Sequence, residues 1–232
     1  MENYLEINYE KNMKILSHAI NCCERELSYE QIIQVLQGDD DIEKQLRLIE
    51  LDKINSQEDA DILVFNLTQH SGPVRETCAY KIQDLISNSH YSKYFQTQKI
   101  VDTFVKAITD INPSVSRSAV EFIKYIENTE YLYQSIITEL KETLSQLDID
   151  VKNRSYVQNK KNFNLYWNLE ALISISDKVS STQELYEILK ITANSNDYTI
   201  REKTAKVASV FNVFEILEIL AEDTNVYVRK YI

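Results

Sequence analysis

Two glycines, Gly38 and Gly72, and two prolines, Pro73 and Pro113, are all that 232 residues contain. This scarcity constrains the fold more than any other feature. A sheet protein of this length reverses direction many times. Its tight turns draw on glycine for positive φ and on proline for a preset φ. A chain without either turns through helix ends capped by Ser, Thr, Asn and Asp. The abundant Leu, Ile, Glu, Lys and Gln agree, but Tyr, Asn and Ile are only middling helix formers. Helix is therefore argued from spacing and caps more than from propensity. At 44% apolar residues, a chain of this size buries a continuous core.

Apolar periodicity breaks the chain into segments joined by short polar stretches. An amphipathic helix is predicted over about 3–26, through Leu5, Ile7, Met13, Ile15, Leu16, Ala19 and Ile20. Ser28 and Gln31 have capping-box spacing and start a short helix that ends at Gly38 in the C′ role. Helices follow over about 42–54 and, from Ser56 as cap, 57–69. Pro73 takes the first helical position of the next, which runs to about Ser87. Further helices are predicted over about 97–110, 115–126 (behind Asn112-Pro113), 129–147 and 157–176, with 148–156 polar and irregular. The Ser181-x-x-Glu184 capping box opens another to about Ala193. Asn196 or Asp197 starts one through Phe211, and short helices cover 213–221 and 226–232. About a dozen helices with short joints is a solenoid or bundle pattern.

A recurring phrase decides between those two. Four helix starts read Pro73-Val74-Arg75-Glu76-x-x-Ala79, Pro113-Ser114-Val115-Ser116-Arg117-Ser118-Ala119, Tyr198-Thr199-Ile200-Arg201-Glu202-x-x-Ala205 and Asn225-Val226-Tyr227-Val228-Arg229. Val74, Val115, Ile200 and Val228 are spaced by 41, 85 and 28 residues. The first spacing is one repeat of about 40–47 residues and the second about two. A divergent middle copy is expected near Val157, and the last unit is abbreviated or a cap.

This phrase resembles the start of the second helix in HEAT repeats. The resemblance implies an all-α, right-handed α-solenoid of about five to six helical hairpins, with second helices lining a concave face. It also implies that the Val and Ala pack between the helices of a repeat. The Arg is expected to bond an Asp six residues earlier, in a ladder between repeats. Only Asp223 with Arg229 keeps that pair; Asp110 faces Ser116, and Arg75 and Arg201 face Gln69 and Ser195. Residues 1–232 read as one domain. Residues 1–55 are divergent N-terminal helices, and 56–232 are recognisable repeats, divergent at 128–176.

The chemistry-bearing residues do not assemble into a catalytic pattern. His18, His70 and His90 have no Cys or His partner at ligand spacing, whereas zinc needs converging N or S ligands. Gly72 is isolated, so no glycine-rich phosphate loop exists. No serine stands in a nucleophile-elbow context. Cys22, Cys23 and Cys78 are odd in number and two are neighbours, which fits reduced thiols in a cytoplasmic protein better than disulfides. No metal, cofactor or catalytic residue is expected. The net charge of −11 disfavours nucleic acid and anionic membrane. No apolar run reaches a membrane span, and the acidic N-terminus is not that of an export signal.

Two features depart from this background. Residues 151–179 carry five bases against two acids, whereas residues 1–60 carry fourteen acids against six bases. The basic stretch runs into Phe163, Tyr166 and Trp167, the only tryptophan. Lys152, Arg154, Lys160, Lys161, Phe163, Tyr166 and Trp167 are thus candidate partner-binding residues, aromatic anchors with a basic rim. The bland alternative makes Phe163, Leu165, Tyr166, Leu169 and Leu172 a core stripe and the lysines a solvated face. Tyrosine is the other anomaly, with fifteen copies. Tyr80, Tyr125 and Tyr166, with Tyr91, Tyr131 and Tyr133, fall on or near expected second helices. Most such rings pack at helix seams with the hydroxyl reaching water.

The expected function is a non-catalytic protein–protein interaction scaffold. The acidic N-terminal third would steer a basic partner. The alternatives rest on resemblance: a HEAT-like DNA glycosylase, which needs a basic groove, or a bilin lyase-like factor that acts on a partner protein.

Overall fold

The computed structural model describes residues 2–146 and 156–232, with side chains over 9–146 and 159–232. All regular structure among them is helical. No helix among them is long and apolar enough to cross a membrane. The chain divides into two compact units, Met1–Tyr94 and Phe95–Ile232. The division falls in neither of the stretches, 1–55 and 128–176, that look divergent in sequence.

The first unit holds α1 (Glu2–Cys23), α2 (Tyr29–Leu36), α3 (Asp41–Glu50), α4 (Gln57–Phe65), α5 (Gly72–Ile86) and the single turn α6 (Ser89–Ser92). Local chemistry sets the starts. Ser28 accepts from the Gln31 amide while the Gln31 side chain bonds back to the Ser28 amide. Asp40 caps α3 and Ser56 caps α4. Helices α2 and α4 pack side by side, and α3 lies between α1 and α5 in a second layer. Leu36, Leu48, Leu63, Val74, Cys78 and Ile82 are fully buried between them. Each such side chain contributes about 1.5–3 kcal/mol through burial.

Arg47 is buried in the same unit, although nothing in its spacing announces it. Its guanidinium donates to the Cys22 carbonyl at 2.6 Å and to Glu50 at 2.6 Å. It thereby satisfies the end of α1 with a positive charge, which the helix dipole favours. The apolar stripe of α1 behaves otherwise than its pattern suggests. Met13, Ile15, Leu16 and Ile20 remain about half exposed; the described side-chain ties of α1 to the α3 region come from its C-terminal part, His18 to Asp40 and the Cys22 carbonyl to Arg47.

The second unit holds α7 (Gln98–Ile108), α8 (Pro113–Phe122), α9 (Thr129–Ser145), α10 (Tyr156–Ser174), α11 (Gln183–Thr192), α12 (Tyr198–Val210), α13 (Phe214–Ala221) and α14 (Val226–Arg229). Helices α7, α9, α11 and α13 pack successively as first helices; α8, α10, α12 and α14 do so as second helices. Each hairpin therefore buries its inner faces against its partner and its flanks against the next hairpin. Phe104 anchors the start of this core, its ring 4.3 Å from Phe122 and 6.2 Å from Phe95 between centroids. At the α12–α13 corner Asn212 adopts φ 56°. The Val213 amide donates to the Ala208 carbonyl at 2.8 Å and the Asn212 amide to the Ser209 carbonyl at 3.2 Å. This is the helix end that glycine usually supplies.

Several boundaries differ from expectation for local reasons. Gly38 follows the end of α2, but neither glycine has positive φ. Pro73 is second rather than first in α5, behind Gly72. Thr182, not Ser181, caps α11 by accepting from the Leu185 amide. Helix α3 stops at Glu50, and Leu51 is extended. The expected irregular stretch 148–156 lies almost wholly outside the described residues, as do Lys152 and Arg154. Val157 is described only as part of the α10 backbone.

The repeat phrase has a regular geometry that its side chains alone obscure. In all four copies one residue donates to the backbone carbonyl six positions earlier. Arg75 bonds Gln69 O, Ser116 bonds Asp110 O, Arg201 bonds Ser195 O and Arg229 bonds Asp223 O. The Asp223 carboxylate does not serve Arg229 in these bonds; it pairs with Arg201 of the preceding hairpin, at 2.5 and 3.1 Å. That pair is the inter-repeat tie, made by Arg201 where the spacing points to Arg229. Arg117 is likewise displaced: the residue after Val115 is Ser116, which is buried, while Arg117 turns outward.

Candidate functional site

Helix α10 is placed by its apolar stripe. Leu165, Leu169, Ala171, Leu172 and Ile175 are fully or almost fully buried, so this part of the stripe is core. Phe163, Tyr166 and Trp167 lie on its flank and are only half-buried. Their rings form one cluster. Trp167 meets Phe163 edge-on at 6.1 Å and Tyr166 at 5.4 Å with an 84° interplanar angle. Such contacts fix ring orientation. Lys160 is exposed, and Lys161 donates to the Gln146 carbonyl.

Neighbouring second helices complete the surroundings. An open pocket of about 270 Å³ is lined by Arg117, Val120 and Glu121 of α8 and by Tyr166, Trp167 and Glu170 of α10. From α12, Lys203 ion-pairs with Glu170 and places its ammonium 4.6 Å from the Tyr166 ring centroid. Burial disfavours the charged Lys203, but Glu170 and Tyr166 outweigh it and hold its pKa above the ordinary lysine value. Lys206 lies 3.8 Å from the same carboxylate. Glu121 pairs with Lys124 at 2.7 Å. Arg117, Lys203, Lys206 and Glu170 come from three helices, and their convergence was invisible in the linear sequence. Of the proposed binding residues, the structure brings Phe163, Tyr166 and Trp167 together with this cationic group.

Charge is segregated between the two layers of this unit. Within the helix ranges given above, second helices α8, α10, α12 and α14 carry seven bases and three acids. First helices α7, α9, α11 and α13 carry four bases and eight acids. A chain of net charge −11 thus presents one layer of opposite sign.

The tyrosines divide by layer. Tyr80 and Tyr125 are exposed. Tyr131 and Tyr133 stand on α9, a first helix, contrary to expectation. Tyr133 is buried with its hydroxyl 2.8 Å from the Thr182 hydroxyl, and Tyr131 donates to Asp102 at 2.5 Å. Tyr91 lies on α6.

Elsewhere, His18 Nε2 lies 2.5 Å from Asp40 and 3.7 Å from the Cys22 sulfur. Both contacts use one ring nitrogen, whereas an acid–base relay needs the two nitrogens to face opposite partners. Among the described residues no three His, Cys, Asp or Glu side chains converge as metal ligands.

No protein-family description matches this chain, and no curated protein is significantly similar to it. Solved structures do resemble it. A designed armadillo repeat protein in complex with the peptide (KR)4 is 17% identical, covering 87% of this chain and 95% of its own, with a TM-score of 0.52. An engineered protein from a structural genomics consortium is 15% identical, covering 89% and 96%, with a TM-score of 0.50. Identities this low speak to fold alone: the chain is an all-α solenoid of helical repeats.

Proposed function

We propose that this chain is a HEAT-like repeat protein acting as a non-catalytic interaction scaffold, with a partner protein held around Tyr166 and Trp167. The HEAT assignment is supported by the two-helix hairpins of the second unit, since armadillo units have three helices. The observation that carries the function is the half-buried aromatic cluster beside an open, cation-rimmed pocket on the second-helix layer. Large rings that are oriented but not covered are the usual anchors of protein interfaces. That a designed armadillo repeat protein of similar fold is known in complex with the peptide (KR)4 supports a peptide or protein partner. Affinity capture from the native host, quantified by mass spectrometry for wild type and Trp167→Ala side by side, tests this. A partner lost from the folded variant supports the reading; unchanged capture sinks it.

One observation favours a second reading, a nucleic-acid enzyme of the HEAT-like glycosylase kind: the basic surplus of the second helices. Against it stand the two carboxylates lining the pocket and the acid excess of the chain. DNA binding that falls steeply between about 50 and 200 mM salt would favour this second reading.

A further inference from the structure

The charge segregation and the pocket together indicate what kind of segment this surface accepts. We propose that the ligand of the second-helix layer is an acidic peptide segment. It lies in extended form across α8, α10 and α12 and seats one apolar or aromatic side chain beside Trp167. This rests on the scaffold reading above and names the chemistry of its partner.

Charge balance is the first argument. Arg117 and Lys160 are exposed and make no ion pair among the described residues. Lys203 and Lys206 share the single Glu170 carboxylate, which leaves one positive charge uncompensated. Glu121 is neutralised by Lys124. A ligand carrying carboxylates therefore meets cations that the fold has left available. A Lys/Arg-rich ligand would meet carboxylates that are already taken. The acid surplus of the first helices disfavours an anionic ligand on that layer of the same unit.

Size is the second. The pocket, at about 270 Å³, falls below the roughly 300–1,000 Å³ of small-molecule sites. It has room for one large side chain: the Trp167 and Tyr166 rings and Val120 offer apolar contact within a lining that is otherwise polar, from Arg117, Glu121 and Glu170. Packed helices lie about 8–10 Å apart, so three second helices span about 16–20 Å. About six extended residues at roughly 3.3 Å each cover that distance.

A peptide is favoured over a nucleic acid by the same count. Phosphodiester chains gain affinity from many evenly spaced charges, whereas the bases of this layer are few, interrupted by carboxylates, and one of them, Arg201, is taken by Asp223. A peptide can place its few acids at the cations and its side chain in the pocket.

The test is an array of eight-residue peptides randomised in charge and apolar residues, with hits measured by anisotropy and by the emission of Trp167. Enrichment of Asp/Glu around one central Phe, Leu or Trp is expected. The double variant Arg117→Glu/Lys160→Glu should weaken a hit by about tenfold, with Lys190→Glu on the first-helix layer as an unchanged control. Enrichment of Lys/Arg, no enrichment of acids, or indifference to the double reversal overturns the proposal. Tighter binding of a 12-nucleotide single strand than of any acidic peptide overturns it in favour of nucleic acid. Capture that Trp167→Ala abolishes, without acidic enrichment, removes the acidic ligand but leaves the scaffold reading standing. Acidic hits that bind Trp167→Ala and wild type alike remove both this anchor and the proposed place of binding.

Discussion

Replacing Asp223 by Asn tests whether neighbouring hairpins are tied through side chains. The Asp223 carboxylate receives Arg201 Nε at 2.5 Å and its terminal nitrogen at 3.1 Å, and also the Asn225 amide at 2.8 Å. The side chains are 17% and 6% exposed. The amide keeps the shape and the Oδ1 acceptor that Asn225 and the Arg201 terminal nitrogen share, but removes the negative charge and sets an NH2 against Arg201 Nε, which loses its acceptor. Loss of a charge-assisted bidentate bond costs about 1.5–3 kcal/mol. We expect about 2 kcal/mol, because the guanidinium still reaches some solvent. That corresponds to a Tm lower by roughly 4–8 °C for a protein of this size. Urea unfolding followed by Trp167 emission, on wild type, Asp223→Asn, Arg201→Met and the double variant, gives the coupling. The pH dependence supplies an independent check. The Arg201 bond, more than any other contact, holds the Asp223 carboxyl below its ordinary range. The unfolded chain therefore takes up the proton at higher pH than the folded one. The stabilisation is complete above the unfolded carboxylate value of about 4 and fades as pH falls through the folded value. The wild-type and Asp223→Asn curves should converge at acid pH. A cost under about 0.5 kcal/mol, or a coupling near zero, would refute the argument and make the pair a solvated surface contact.

Three further outcomes follow from the structure. Phe104→Ala should cost about 3–5 kcal/mol in chemical denaturation, since its fully buried ring packs on Phe122; a cost near 1 would mean that the core relaxes into the space. Ser28→Ala should cost about 1 kcal/mol, because it removes the hydroxyl that accepts from the Gln31 amide; no change would show that the remaining bond from the residue 28 amide to Gln31, or water, suffices. With a chromogenic disulfide reagent, exposed Cys23 should react quickly in the native protein, while Cys22 and Cys78 react only on unfolding. Burial raises the Cys78 thiol far above its ordinary value, and the thiol donates to the Leu63 carbonyl at 3.1 Å. Two or more fast thiols would contradict that burial.

Helix starts were legible because a cap acts over three residues. Ser28, Ser56, Asn112, Asn128, Asp197 and Asn225 each hold an amide two or three positions ahead. At the start of α11 the capping-box spacing points to Ser181, one residue before Thr182, which holds the amide. The displacement of Arg117 could have been read from the sequence. In the other three copies the arginine directly follows the β-branched anchor, and one residue more turns a side chain by about 100° on a helix. The burial of Arg47 could not have been read, since its partner is a carbonyl 25 residues away. Nor could the difference between Tyr125, exposed beside a second helix, and Tyr133, sealed at a seam.

The candidate site shows the same division. Phe163, Tyr166 and Trp167 stood out because they are close together in sequence and lie on one helix. Arg117, Lys203 and Lys206 join them only because α8, α10 and α12 pack side by side, although 86 residues separate Arg117 from Lys203. By itself the sequence determined that the chain is helical, where most helices begin, and that a hairpin phrase recurs, since capping and periodicity are local properties of the backbone. Only the tertiary structure decided which charges share a surface and which aromatic rings remain uncovered. Those depend on the register of helices distant in sequence, which side-chain packing fixes.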